Sequence, residues 1–123
     1  MRHHDRAGRL SRVGRVIAMI EADPGAKHTL LNLAAHANYS PYHFLRVYQS
    51  IKGETIGATI RRARLKHAAT LLASAPLSIV AVALDAGYES PQAFARAFRG
   101  FSGTTPSAYR RQSKTKICPP DAH

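Results

Sequence analysis

Apolar side chains recur three and four residues apart over most of the chain, which is the spacing of amphipathic helices rather than of strands. Gly, Pro and short polar residues interrupt this pattern several times, as they do where one helix ends and the next begins. The pattern therefore predicts an all-α fold of about seven helices. The predicted helices cover approximately residues 10–22, 30–37, 41–52, 56–74, 79–86, 91–102 and 106–112.

Two of these helices belong to a stretch that occurs twice, 50 residues apart. Residues 40–53 read S-P-Y-H-F-L-R-V-Y-Q-S-I-K-G, and residues 90–103 read S-P-Q-A-F-A-R-A-F-R-G-F-S-G. Each copy begins with a Ser that can accept a bond from an early helical N–H, followed by a Pro at the first helical position. Each copy ends at a Gly, which commonly stands just past the end of a helix. The apolar stripes of the two copies are Phe44, Val47, Tyr48, Ile51 and Phe94, Ala97, Phe98, Phe101.

A short apolar helix precedes each copy, so the repeat covers a whole helix-turn-helix unit. The turn is Asn38-Tyr39 in the first unit, and Gly87-Tyr88 takes its place in the second. Asn and Gly both tolerate the left-handed backbone that a tight helix exit needs. The predicted organisation is a flexible basic arm, a first helix-turn-helix subdomain, a long linker helix, a second helix-turn-helix subdomain and a disordered tail. These segments cover residues 1–9, 10–55, 56–74, 75–112 and 113–123, respectively.

Charge points to a polyanionic partner. The chain has 18 Lys and Arg against 7 Asp and Glu, a formal net charge of +11, and such an excess most often accompanies nucleic-acid binding. We expect no membrane segment, because the chain has no long apolar run and its start is too polar for a secretory leader. The single Cys118 excludes an internal disulfide and a cysteine metal site. We also expect no other metal and no cofactor.

The faces opposite the two apolar stripes carry the candidate DNA contacts. Arg46 and Arg96 stand at matching places, and a guanidinium can bind the O6/N7 edge of guanine or grip a phosphate. Gln92 could read adenine, whereas Leu45 and Ala95 could contact a thymine methyl; core packing is an equal alternative for Leu45. The predicted base-reading set is Tyr42, Leu45, Arg46, Gln49, Gln92, Ala95 and Arg96. The predicted phosphate contacts are Ser40, Arg61, Arg62, Ser90, Arg99, Arg110 and Arg111.

Two recognition helices on one chain could enter successive major grooves of double-stranded DNA. Because the exposed residues of the two copies differ, such a protein would read an asymmetric site as a monomer. Neutralising about six phosphates would give a salt slope of roughly −5. The alternative is a non-specific basic or architectural nucleic-acid-binding protein. We predict no enzyme, because the carboxylates form no close pair in a predicted cleft and no Gly-rich phosphate loop is present. A repair methyltransferase would need a reactive Cys in a structured site, whereas Cys118 lies in the predicted tail.

Three stretches carry a resemblance to a known family. They are A-N-Y-S-P-Y-H-F-L-R-V-Y, then G-E-T-I-G-A-T-I-R-R-A-R-L-K-H-A-A-T-L-L, then D-A-G-Y-E-S-P-Q-A-F-A-R-A-F-R-G-F-S-G-T-T-P-S-A-Y-R-R. With the residues between them, they resemble the AraC/XylS family DNA-binding domain over about residues 10–112. The resemblance implies a seven-helix, two-subdomain fold and a sequence-specific bacterial transcription regulator, commonly an activator that contacts RNA polymerase.

The resemblance also implies positions for the base-reading residues and a place in the cell. The family's base-reading positions fall on Tyr42, Leu45, Arg46, Gln92, Ala95 and Arg96. Leu45 departs from the family, whose members often carry a polar reader at this position. Most members add an effector-binding or dimerisation domain, for which this chain has no room. We therefore expect a stand-alone regulator or a truncated relative, located in the bacterial cytoplasm with the nucleoid.

Overall fold

The computed structural model describes residues 2–117, so Met1 and residues 118–123, including Cys118, lie outside the described residues. The described part of the chain forms seven α-helices and contains no strand, which confirms the predicted fold class. In chain order, the helices are α1 (Arg2–Ala22), α2 (Leu30–His36), α3 (Pro41–Lys52), α4 (Ile56–Ser74), α5 (Ile79–Asp85), α6 (Pro91–Ser102) and α7 (Pro106–Ile117).

Serine side chains cap the N-termini of α3 and α6, as the sequence predicted. The Ser40 Oγ accepts the N–H of His43 at 3.3 Å at the start of α3, and the Ser90 Oγ accepts the N–H of Ala93 at 3.1 Å at the start of α6. These bonds satisfy N–H groups that have no partner inside the helix. Both helices end where they were predicted to end, at Gly53 and Gly103, whose φ angles of 72° and 85° are left-handed.

The two turns repeat as expected. Asn38 has a φ of 61° and is the non-glycine residue with positive φ in the described chain, while Gly87 at the corresponding place has a φ of 93°. Both residues leave a short helix by a left-handed step, which redirects the chain into α3 or α6 within a few residues. The helix-turn-helix geometry is therefore built into the backbone of both halves.

The chain divides into two compact units between Ala63 and Arg64, and each unit has its own core. The first core is formed mainly by α1, α2 and α3, and the second by the later part of α4 with α5 and α6. The buried residues of the first unit are Val13, Val16, Ile20, Leu33, Ala34, Ala37, Phe44, Val47, Tyr48 and Ile56. The buried residues of the second unit are Leu65, Ala68, Leu72, Val82, Ala83, Ala86, Phe94 and Phe98.

The structure differs from the sequence prediction at both ends. Helix α1 begins at Arg2, so it includes most of residues 1–9, which we assigned to a flexible arm. Helix α7 continues to Ile117, into the segment that we expected to be disordered from residue 113. An apolar stripe marks only the part of a helix that packs on a core. Once a helix has formed, it can extend through polar residues at little cost, because each added residue also adds a hydrogen bond.

Two core assignments also differ. The predicted apolar positions of α4 are Ile56, Ile60, Ala63, Ala68, Leu71 and Leu72, which omit Leu65. Leu65 is 2% exposed and lies in the core of the second unit. Phe101 was placed on the buried stripe of α6, but it is 41% exposed, near the end of that helix. The centroid of its ring lies 6.1 Å from the centroid of the Phe98 ring, so Phe101 covers the edge of the core and does not fill it.

Candidate nucleic-acid interface

The outward face of α3 presents four of the predicted base-reading residues. Tyr42, Leu45, Arg46 and Gln49 follow one another at the helical spacing i, i+3, i+4, i+7, and all four are exposed. Leu45 is 38% exposed and lies outside the cluster of buried residues, so its position favours a surface role over the alternative of core packing. Helix α3 contains no carboxylate, which leaves this face suitable for an anionic partner.

An aromatic ring orients the arginine on this face. The Cζ of Arg46 lies 5.8 Å from the ring centroid of Tyr42, one helical turn earlier. A guanidinium over a tyrosine face is attracted by the ring quadrupole, and this is worth about 0.5–1 kcal/mol at an exposed site. The ring therefore restricts the positions that the Arg46 side chain samples before any partner arrives.

The outward face of α6 is built in the same way, with different residues. Gln92, Arg96 and Arg99 are exposed, and Ala95 is half-buried. Helix α6 also contains no carboxylate. The structure therefore gives both copies a polar and cationic face opposite the buried stripe, with Arg46 and Arg96 at corresponding places.

The predicted phosphate contacts differ in their surroundings. Arg61, Arg99 and Arg111 are exposed, and the hydroxyls of the capping Ser40 and Ser90 still have a hydrogen to donate while their oxygens accept. Arg62 is also exposed and Arg110 is half-buried, and both donate to protein acceptors that the sequence did not reveal.

Arg110 binds the end of α4. Its Nε donates to the carbonyl oxygen of Leu72 at 3.0 Å, and its Nη2 donates to that of Ala75 at 3.3 Å. The last carbonyls of a helix have no partner within the helix, so this half-buried guanidinium satisfies two of the acceptors that the end of α4 leaves open. Arg110 thus ties α7 to α4 inside the second unit.

Arg62 belongs to a polar chain beneath α3. Its Nη1 and Nη2 donate to the two carboxylate oxygens of Glu54 at 2.8 Å and 2.6 Å, a two-pronged ion pair. Thr59 donates its hydroxyl to the same carboxylate, and the buried Tyr48 hydroxyl bonds the Thr59 oxygen. Thr59 is the buried polar residue in the described part of the chain, at 7% exposure. This hydrogen-bond network connects the buried side of α3 to the first half of α4.

The bonds from Arg62 and then Thr59 lower the pKa of Glu54 from its usual 4.5 to about 2. Glu54 is therefore ionised at neutral pH and can only accept hydrogen bonds. Burial raises the pKa of the Tyr48 phenol above its usual 10.0, so this group keeps its proton. Sequence reasoning placed Tyr48 in the core and missed the network. The available signal was a tyrosine on a buried stripe, because a buried phenol usually requires a hydrogen-bond partner.

The second unit holds α6 by different means. Phe98 stands at the place of Tyr48, and its ring packs edge-on against Tyr109 of α7, with 5.2 Å between the centroids. A separate pair links α4 to α5, where the Nε2 of His67 lies 2.7 Å from a carboxylate oxygen of Asp85. The two halves thus share their backbone plan and differ in the residues that fix it.

Within residues 2–117, no helix combines the length and the hydropathy that crossing a bilayer requires. Among the side chains that the structure describes, no three His, Cys, Asp or Glu groups gather as metal ligands would.

Comparison with known proteins agrees with this geometry. A family profile described as a helix-turn-helix domain matches residues 33–112. The transcriptional activator AarP of Providencia stuartii is 33% identical over 98 residues, which are 80% of this chain and 73% of AarP. The transcriptional regulator Rob of Salmonella typhimurium is 40% identical over 86 residues, which are 70% of this chain but only 30% of Rob.

A solved structure has the same fold. The DNA-binding domain of the global transcriptional factor AdpA, in complex with a target DNA, superposes with a TM-score of 0.78 at 28% identity. The match covers 85% of this chain and 94% of that domain. The resemblance seen in the three sequence stretches is thereby confirmed, and the chain belongs to the AraC family of helix-turn-helix transcription regulators.

Proposed function

We propose that this chain binds double-stranded DNA in a sequence-specific manner and regulates transcription, with α3 and α6 each entering a major groove. The observation that carries the proposal is the pair of arginines, Arg46 and Arg96, exposed at corresponding positions on two helix faces without carboxylates. The DNA complex of the AdpA domain supports the same partner for a similar fold.

Base reading is assigned to the outward faces. Arg46 and Arg96 each bind the O6/N7 edge of a guanine, and Gln92 binds adenine or reaches a neighbouring base through water. Leu45 and Ala95 contact thymine methyl groups, because neither side chain forms hydrogen bonds. Tyr42 and Gln49 complete the first face by contacts with bases or with the sugar-phosphate backbone. The two faces carry different residues, so the proposed target is an asymmetric site that one monomer covers.

Phosphate contacts position the domain without reading sequence. We assign them to Arg61, Arg99 and Arg111, aided by the hydroxyls of Ser40 and Ser90. The guanidinium groups of Arg62 and Arg110 are already held by protein acceptors. Taking either group for a phosphate would leave Glu54 or the end of α4 without its partner, so we assign both to internal positioning.

We further propose that the chain activates transcription and is not an enzyme. The name of AarP as an activator supports a role in activation, and RNA polymerase is the partner that activation would require. The relatives AarP and Rob are named as transcription regulators and not as enzymes, which supports a regulator without catalysis. Because the proposed partner is DNA, we also propose a location in the bacterial cytoplasm with the nucleoid.

The deciding experiment selects bound duplexes from a random DNA pool at near-physiological salt. It compares the wild type with Arg46→Ala, Arg96→Ala and the control Arg15→Ala, which removes an exposed arginine whose contact, with Ser11, lies within α1. We expect a bipartite asymmetric motif in which Arg46→Ala relaxes one half and Arg96→Ala the other. Each loss should cost about 1–3 kcal/mol at its own base pair.

A second candidate function is non-specific or architectural binding, which the net charge of +11 favours. This alternative predicts that no motif emerges from the pool and that all three arginine variants weaken every duplex by a similar factor.

A further inference from the structure

In the hydrogen-bond network under α3, the donor and the acceptor of each bond are fixed. The ionised Glu54 can only accept, so the Thr59 hydroxyl must donate to it, and this leaves the Thr59 oxygen to accept from Tyr48. Arg62 closes the chain with its two bonds to Glu54. Each link from Tyr48 to Thr59, from Thr59 to Glu54 and from Arg62 to Glu54 therefore has a defined donor and a defined acceptor.

The hydrogen-bond network contacts α3 on its buried face, opposite the face that carries Arg46. Tyr48 is fully buried and lies on α3 between the outward-facing Arg46 and Gln49. A shift or rotation of α3 against α4 would lengthen the Tyr48–Thr59 bond and would move Arg46 by a similar distance. A bidentate contact with guanine requires the guanidinium to lie within hydrogen-bond range of two acceptors at once. The same movement that breaks the buried bond would therefore spoil the base contact.

The second unit does not have the residues of this network. Fifty residues on, Tyr48 is replaced by Phe98, and the places of Glu54, Thr59 and Arg62 are taken by Thr104, Tyr109 and Gln112. There, α6 is held by aromatic packing, with the Phe98 and Tyr109 rings 5.2 Å apart. Apolar contact is less directional than hydrogen bonding, and the bonds between the buried Tyr48 and Thr59 and from Thr59 to Glu54 favour one arrangement of α3 on α4. The Arg62 end of the network is more open, with 49% of the Arg62 side chain exposed.

We propose that Tyr48, Thr59, Glu54 and Arg62 form a positioning network for α3. The network sets base-pair discrimination in the first half of the DNA site, which is the half that α3 contacts. The inference rests on the proposed function and assigns the four side chains a role that involves no contact with DNA. It gives Arg62 a role other than the predicted phosphate contact, because its guanidinium pairs with Glu54.

The test uses Tyr48→Phe in the full chain. This substitution installs the residue that the second unit already uses, keeps the packing and removes only the hydroxyl. Thr59→Val is a second variant that removes both bonds at nearly constant volume. Its matched control is Thr70→Val, on the same helix, where the hydroxyl bonds only the carbonyl of Lys66. Circular dichroism and thermal melting check that each variant is folded at the temperature of the binding measurements.

Binding is measured on three duplexes: the selected site, the site with its first-half guanine replaced, and the site with its second-half guanine replaced. A bidentate arginine–guanine pair gives about 5- to 150-fold discrimination. We expect Tyr48→Phe and Thr59→Val to reduce first-half discrimination by about three- to tenfold and to leave second-half discrimination unchanged, while Thr70→Val changes neither.

Two results would overturn the inference in distinguishable ways. Unchanged discrimination in both variants, with or without a lower melting temperature, would make the network a purely structural feature and leave the proposed function intact. Equal affinity of the wild type for all three duplexes would overturn the proposed function, and this inference with it. A parallel loss in both halves would likewise contradict a network that acts on α3.

Discussion

Arg46 and Arg96 are equivalent in the repeat but not in their surroundings. Arg46 has the Tyr42 ring one turn before it at 5.8 Å, whereas Gln92 stands in that place before Arg96. A long side chain loses conformational entropy when a contact orders it, and a side chain already held by a ring loses less. At the scale of single residues, the first recognition helix therefore presents the better prepared arginine.

Removing the Tyr42 ring should weaken guanine recognition by Arg46. We expect Tyr42→Ala to reduce affinity for the selected site by about 0.5–1 kcal/mol, whereas Tyr42→Phe should keep most of it, because the ring and not the hydroxyl attracts the cation. Titration of labelled duplex with each variant, in the wild-type and Arg46→Ala backgrounds, measures the coupling. Equal losses in the two backgrounds would show that Tyr42 acts independently of Arg46.

Acid should act on the first unit through Glu54. Its pKa of about 2 in the folded chain is below its usual 4.5, so the carboxylate contributes stability that is present above about pH 4.5 and is lost as pH falls through about 2. A carbon-13 NMR titration of the Glu54 side chain should give a midpoint near the lower value. In Arg62→Met the midpoint should rise toward 4.5, because the largest stabilising bond is gone. An unchanged midpoint in that variant would contradict the ion pair.

At the scale of helices and turns, backbone conformation determines which residues the ends accept. Gly53 ends α3 with a φ of 72°, and nothing lies within 4 Å of the position that a Cβ would take. The requirement for glycine is therefore conformational and not steric. Gly14, inside α1, also has open space around it, but it has ordinary helical backbone, in which an alanine is favoured.

Alanine should have opposite effects at these two glycines. Gly53→Ala should destabilise the chain by about 1–2 kcal/mol, the cost of a left-handed conformation for a residue with a Cβ. Gly14→Ala should stabilise it by about 0.5–1 kcal/mol, because glycine inside a helix is costly relative to alanine. Urea unfolding followed by circular dichroism measures both. A stabilising Gly53→Ala would contradict the left-handed end of α3.

At the scale of the whole molecule, the sequence predicted the features that follow from the repeat and from the spacing of apolar residues. The fold class, most of each stripe, the left-handed Asn38 and the helix ends at Gly53 and Gly103 were predicted, because each depends on neighbours in sequence. Partners far apart in sequence were not predicted. Arg110 bonds carbonyls 38 and 35 residues away, and nothing in its local pattern distinguishes it from a surface arginine. The DNA contacts themselves stay predictions.

The salt dependence of DNA binding should reflect these internal partners. Each arginine that neutralises a phosphate adds about −0.9 to the slope of log K against log salt. Arg62 already pairs with Glu54, so we expect it to add less than its neighbour Arg61. Neighbouring substitutions on α4 sharpen the test: Arg61→Gln should make the slope shallower by about 1, whereas Arg62→Gln should leave it unchanged. The measurement is a series of affinities for one duplex between low and near-physiological salt. Equal changes in slope for the two variants would mean that Arg62 leaves Glu54 to bind a phosphate when DNA is present.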